Sequence, residues 1–390
     1  MSEIPFNRPF TTGREFIYVR DAIENGHLSS SGPFTDRCSH WLKQRVGSEQ
    51  VLLTHSCTAA LEMAMMLLDI GPGAEVVMPS FTFVSTASAV VVRGGTPVFV
   101  DIRPDTLNID EGRVRAAITP RTRAIVAVHY AGVGCAMKEL ASIAEETGAA
   151  LIEDAAHGLL ASYDDRPLGG FGCLAALSFH ETKNVHCGEG GALLINEPAY
   201  RERAEILLDK GTNRRRFFRG QVDKYSWVDI GSSYAPSEIN AAFLWAQLED
   251  ADAITAQRLA IWQIYHEAFA DLERQGFARR PVIPGNCSHN AHMYYLLLPD
   301  FESRSRFIGE LKRVGIHAVF HYVPLHTSDA GRRYGRQAGD LSATADASDR
   351  LVRLPLWPGM AAEDVERVVD AVNSTAERIA GRSSARVRTN

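Results

Sequence analysis

The sequence predicts an α/β fold built on a largely parallel sheet, followed by a smaller α+β domain. Seven short apolar, β-branched runs recur through the first half of the 390 residues, most without the polar alternation of a half-exposed strand. Helical patterns lie between several of them, as crossovers between parallel strands require. Beyond residue 230 the pattern changes to one long helical stretch and then to shorter mixed elements.

In order, the strand-like runs are VLLT (51–54), EVVMPS (75–80), TPVFVDI (96–102), TRAIVAVHYA (122–131), ALIEDAA (150–156), LAALSFH (174–180) and GALLIN (191–196). TAALEMAMMLLDI (58–70) puts Leu61, Met65, Leu68 and Ile70 near one helical face, and KELASIAEETG (138–148) stops at a glycine suited to a helix end. GPG (71–73) and RGG (93–95) read as turns into strands. The stretch 237–276 reads as a long helical link. After it come strand-like MYYLLL (293–298) and HAVFHYV (317–323), with helix-like SRFIGELKRVG and DVERVVDAVNSTAERIA. These divide the chain into a large domain (1–245), a small C-terminal domain (246–378) and an irregular tail (379–390).

Composition narrows the function. A net charge of −6 argues against a general nucleic-acid binder. No apolar run nears the length of a bilayer span, and MSEIPFNRPF lacks the apolar core of a secretory leader. The six scattered cysteines suit reduced thiols in a cytosol. His317, His321 and His326 lack a compact ligand spacing, so no metal is expected. Walker-A, H-E-x-x-H and strand–G-x-G-x-x-G–helix patterns are absent.

The chemistry concentrates between Leu151 and Gly191. Asp154 ends one apolar run; Ser178 and Lys183 follow the end of the next, ahead of the glycine-rich GEGGA. Acid, hydroxyl and amine in that order match the needs of pyridoxal phosphate: a carboxylate for the pyridine nitrogen, a hydroxyl for the phosphate, an amine for the carbonyl. Taken alone, Asp154 is more readily a helix cap or salt-bridge partner, and most lysines are solvated. The combination at strand ends, where open α/β sheets bind ligands, favours the cofactor reading. Ser56, Cys57 and Thr58 end the first strand and open a helix whose N–H groups could cradle a phosphate; a simple N-cap explains Ser56 or Thr58 nearly as well. Phe83 is either a ring that stacks on the pyridine or a core residue. Four arginines within Arg214–Arg219 form either a solvated loop or a loop that meets a diphosphate.

The segments SCTAALEMA, MPSFTFVSTASA, FVDIRPDTLNID, IVAVHYAG, IEDAAHG, SFHETKN, GEGGA and VFHYVPLH together resemble the DegT/DnrJ/EryC1/StrS family of sugar-nucleotide aminotransferases. The likeness spans nearly all of residues 4–375. HETKN, RGQVDKYSWVDIGSSY and AVFHYVPLH are most similar to the branch that aminates carbon 4 of dTDP-4-keto-6-deoxyglucose for enterobacterial common antigen. The resemblance implies a fold-type-I aminotransferase homodimer with sites at the interface, using L-glutamate and a dTDP-sugar. It matches Lys183 to the cofactor lysine, Asp154 to the pyridine partner, Ser178 with Cys57–Thr58 to the phosphate site and Phe83 to the stacking ring. It also implies substrate contacts at Arg219, Tyr322 and His326. Two positions depart from the wider family: His157 stands where glutamine is usual near the cofactor's 3-hydroxyl, and Ser233 where many members carry asparagine. A 3-aminotransferase and a non-catalytic cofactor-binding regulator remain alternatives; a sugar 3-dehydratase is disfavoured, because that branch carries histidine at the Lys183 position.

Overall fold

The computed structural model describes the backbone of residues 3–387 and the side chains of residues 3–380. The seven apolar runs form strands β1 (Gln50–Thr54), β2 (Glu75–Pro79), β3 (Thr96–Val100), β4 (Thr122–Val128), β5 (Ala150–Asp154), β6 (Leu174–Ser178) and β7 (Gly191–Ile195). They lie in the spatial order β1-β7-β6-β5-β4-β2-β3. An eighth strand, Arg336–Gln337, adds to the outer edge of β3, so the sheet has eight strands rather than the seven read from sequence. Two residues carry no periodicity, and these come from far along the chain.

All ladders are parallel except those of β7, which runs against both β1 and β6. The link from β6 to β7 contains no crossover helix, so the chain returns antiparallel. Successive residues face opposite cores. Val76 and Met78 pack with Leu61 and Met65 of helix Cys57–Leu67, while Val77 packs with Leu140 and Ile143 of helix Met137–Thr147. Burial on both faces is why these strands read as unbroken apolar runs. The second of those helices stops as expected, with Gly148 at φ +70°.

A second core gathers Tyr265, Phe269, Tyr294, Phe307, Val352, Trp357 and Val368 around the antiparallel pair Tyr294–Leu297 and Leu351–Leu354. It also takes in Ile4, whose N–H and C=O bond Gly315 and His317. The long helical stretch is broken at Asp250. Helix Glu238–Glu249 packs on helices Glu15–Glu24 and Pro33–Val46, while helix Ala251–Ala268 passes into the second core. HAVFHYV is not a strand: only Val319 pairs, with Arg353, and the residues beyond it turn to line a cavity. Where an irregular tail was expected from 379, the last helix, Ala362–Val387, continues; residues 388–390 lie outside the described ones. Among the described residues no helix is long and apolar enough to cross a membrane.

Candidate active site

Because β1, β2, β4, β5 and β6 point the same way, their C-terminal ends share one edge of the sheet. Asp154 is the last residue of β5 and Ser178 the last of β6; Lys183 lies five residues further on. Ser56 follows β1, and Phe83 follows β2. All five line one cavity of about 800 Å³, together with Cys57, Thr58, His157 and Tyr322. The second core closes it from the other side with Arg258, His292, Phe320, His321 and Arg353.

The phosphate-sized end is the start of helix Cys57–Leu67. Ser56 caps it, accepting from the Ala59 N–H at 3.1 Å, so the N-cap reading of Ser56 holds. The first N–H groups of such a helix have no acceptor within it and favour an anion. The Thr58 and Ser85 hydroxyls, 2.7 Å apart, and Ser178 line the same end. Gly191 makes this geometry possible: a Cβ there would stand 2.4 Å from the Cys57 nitrogen.

Asp154 is buried, and burial pushes its carboxyl pKa up. The Thr86 hydroxyl (2.8 Å) and the Ala156 N–H (3.2 Å) counter this and fix its orientation. Thr86 is in turn bonded to Thr82 at 2.9 Å. Burial pulls the Lys183 ammonium pKa down, against the opposing effects of Cys57 and Asp154. That amine is therefore closer to proton exchange than a surface lysine.

His157 stacks on His292 with ring centres 4.0 Å apart and planes at 20°. His321 lies beside them, its Nδ1 2.8 Å from the Tyr130 hydroxyl. Burial holds all three imidazoles well below their ordinary pKa, and nearby cations push the same way. They are neutral donors and acceptors at pH 7. His157 Nδ1 is buried without a partner in the chain. The Lys183 loop is tied to this group, since the Asn184 amide oxygen accepts from His292 Nδ1 at 3.0 Å and its NH2 donates to the Asn290 carbonyl at 2.7 Å.

Three expected contacts lie outside the cavity of their own chain. Arg219 forms a two-point ion pair with Glu205, the shorter contact 2.6 Å, while Arg216 pairs with Glu202. Ser233 makes a backbone bridge to Asp209. His326 bonds the Ser80 hydroxyl through Nδ1 at 2.7 Å. Conversely, Thr86, Arg258, His292 and Arg353 went unread in the sequence. The one local signal was Arg353 itself, a lone charge inside the apolar run LVRLPLW. Among the described residues no cluster of three metal-ligating side chains occurs, and the six cysteines are unpaired.

The residues fit pyridoxal phosphate. The buried acid, the helix N-terminus with its hydroxyls, the lysine of lowered pKa and the unpartnered imidazole nitrogen share one cavity. Known proteins agree with that geometry. The aminotransferase TlmJ of Streptoalloteichus hindustanus superposes with a TM-score of 0.89 at 29% identity, over 97% of this chain and 100% of that one. Spr1654 of Streptococcus pneumoniae, classed with the sugar aminotransferases and solved in PMP, PLP and apo forms, gives 0.90 at 25% for its PMP form, over 98% and 100%. DesV of S. venezuelae gives 0.88 at 29% identity, over 97% and 99%. Aminotransferases of this kind are enzymes that use pyridoxal phosphate. A sequence model of the DegT/DnrJ/EryC1/StrS aminotransferase family matches residues 11–373, and the chain belongs to that family.

Proposed function

We propose that the protein transfers an amino group from L-glutamate to C4 of dTDP-4-keto-6-deoxy-D-glucose, giving a dTDP-4-amino-4,6-dideoxyhexose. The observation that carries the transaminase chemistry is the shared cavity of Lys183, Asp154 and the start of helix Cys57–Leu67. The choice of sugar and carbon rests on the likeness of HETKN, RGQVDKYSWVDIGSSY and AVFHYVPLH to the 4-aminating branch.

Pyridoxal phosphate, when bound, supplies an electron sink for the substrate carbon. The chain's residues do the rest. Asp154, oriented by Thr86 and Ala156, holds a proton on the pyridine nitrogen. The helix N-terminus with Thr58 and Ser178 anchors the phosphate. His157, stacked on His292, would be the partner for the cofactor's 3-hydroxyl. Lys183 would hold the cofactor at its aldehyde carbon and, as a free amine, would be placed to carry a proton to and from the donor's α-carbon.

The same proposal includes a cytosolic homodimer with sites at the interface. Trp227, 80% exposed, and Phe218, 69% exposed, lie on or beside the arginine loop and suit cover by a second copy. In that arrangement Arg219 and Ser233 serve the neighbour's site. Mixing inactive Lys183→Ala chains with Arg219→Ala chains tests this: restored activity supports sharing, and none in verified mixed dimers refutes it. The overall reading is tested by incubation with dTDP-4-keto-6-deoxyglucose and glutamate, followed by NMR of the product. An amine at C3, or no amination of any nucleotide sugar, overturns it.

A further inference from the structure

We propose that Arg353 receives the α-carboxylate of the amino-acid donor, at a subsite separate from the phosphate cup of helix Cys57–Leu67. The inference rests on the transaminase reading of the cavity.

Two arginines line that cavity, and their commitments differ. Arg258 is spent on structure: Nε donates to the Ala291 carbonyl at 3.0 Å and Nη2 to the His292 carbonyl at 2.6 Å. It braces the loop that carries His292. Arg353 makes one such bond, from Nη2 to the Phe320 carbonyl at 3.2 Å. Its Nε is buried without a partner, and no carboxylate pairs with it among the described residues. Arg353 is half-buried rather than solvated, and a partly desolvated cation without a counter-ion is stabilised by an arriving anion.

Geometry selects the kind of anion. One face of the guanidinium is covered by the Phe6 ring, 4.7 Å away. Arg353 sits in strand Leu351–Leu354, and its backbone is bonded in both directions to Val319. A planar fork so held offers its edge, which matches the two oxygens of a carboxylate. Burial lowers the Arg353 pKa, as expected for a cation awaiting its partner. A phosphate already has its cup at the opposite-charge end of a helix. Every amino-acid donor carries a carboxylate beside its amine; the reacting carbon of a keto sugar carries none. Arg353 thus separates the two half-reactions that share Lys183.

The test uses holoenzyme carrying Arg353→Gln or Arg353→Lys. Spectroscopic titration with L-2-methylglutamate, whose α-carbon has no proton to lose, reads donor binding without turnover. The keto-sugar half-reaction is measured separately on enzyme in the amine form of the cofactor. Arg353→Gln is expected to raise the donor dissociation constant about tenfold or more. Arg353→Lys, which keeps the charge and loses the fork, should raise it by less. The sugar half-reaction should stay within about threefold. An unchanged donor constant in a folded Gln or Lys variant overturns the assignment. So does a loss confined to the sugar half-reaction, which would give Arg353 to the sugar nucleotide. The donor titration remains readable if the wild type accepts a different sugar, so the two proposals fail separately.

Discussion

Gly191→Ala probes the link between sheet geometry and cofactor binding. Gly191 opens β7, paired with Thr54 of β1 on one side and Ser178 of β6 on the other. A Cβ at this position would lie 2.4 Å from the Cys57 nitrogen and the Ser56 carbonyl carbon. That is about 1 Å inside the 3.4 Å at which ordinary contact begins. Both obstacles are backbone, so no side-chain rotation relieves the clash; strand or helix start must move. Overpacking of this kind costs roughly 1–3 kcal/mol of stability. A shift of about 1 Å in the amides that face the phosphate should weaken pyridoxal phosphate binding by roughly 10- to 100-fold. The assay is reconstitution of apoprotein with increasing cofactor, followed by absorbance, with thermal unfolding of the apoprotein in parallel. Gly309→Ala, inside helix Phe301–Arg313 with nothing within 4 Å, is the control and should stabilise by about 0.5–1 kcal/mol. Cofactor affinity within twofold of wild type, with unchanged stability, would refute the claim that Gly191 shapes the phosphate cup.

Lys183→Ala should remove the visible absorption that depends on cofactor held by the lysine, while the far-UV circular dichroism stays that of the wild type; retained absorption and turnover would move the site to another lysine. His157→Gln keeps a hydrogen-bond donor and acceptor but loses the stack on His292, so activity should stay within about tenfold, or about 1.4 kcal/mol, with a shifted pH profile of the bound cofactor's absorbance. A far larger loss would give His157 an acid–base role. The Glu75 carboxyl, buried against Arg336, Thr119 and Arg121, is held at about 2, below its ordinary 4.5, chiefly by Arg336. Its contribution is present above about pH 4.5 and lost as pH falls towards 2, so Glu75→Gln should destabilise at pH 7 and match the wild type more closely near pH 2. Equal stability loss at both pH values, by urea unfolding, would contradict this.

What the sequence by itself determined is the part of the protein where local pattern and tertiary role coincide. β1 to β7 are legible because strands buried on both faces must be apolar throughout, as Val76, Val77 and Met78 are in opposite cores. Asp154, Ser178 and Lys183 are legible because parallel strands bring their C-terminal ends to one edge whatever the rest of the chain does. Their order along the sequence therefore already stated a neighbourhood in space. The opposite wall was decided only by tertiary structure. Arg353, His292 and His321 reach the cavity because the second core docks against that edge, and no period or spacing links them to Lys183. Thr86 is hidden for a related reason: its bond to Asp154 joins the helix that follows β2 to the end of β5, with β4 lying between the two strands. The eighth strand and the backbone of HAVFHYV, paired with the neighbouring strand only at Val319, follow the same logic. A two-residue ladder and an extended cavity wall are products of where two cores meet, and the energy that selects them lies in contacts between residues far apart in the chain.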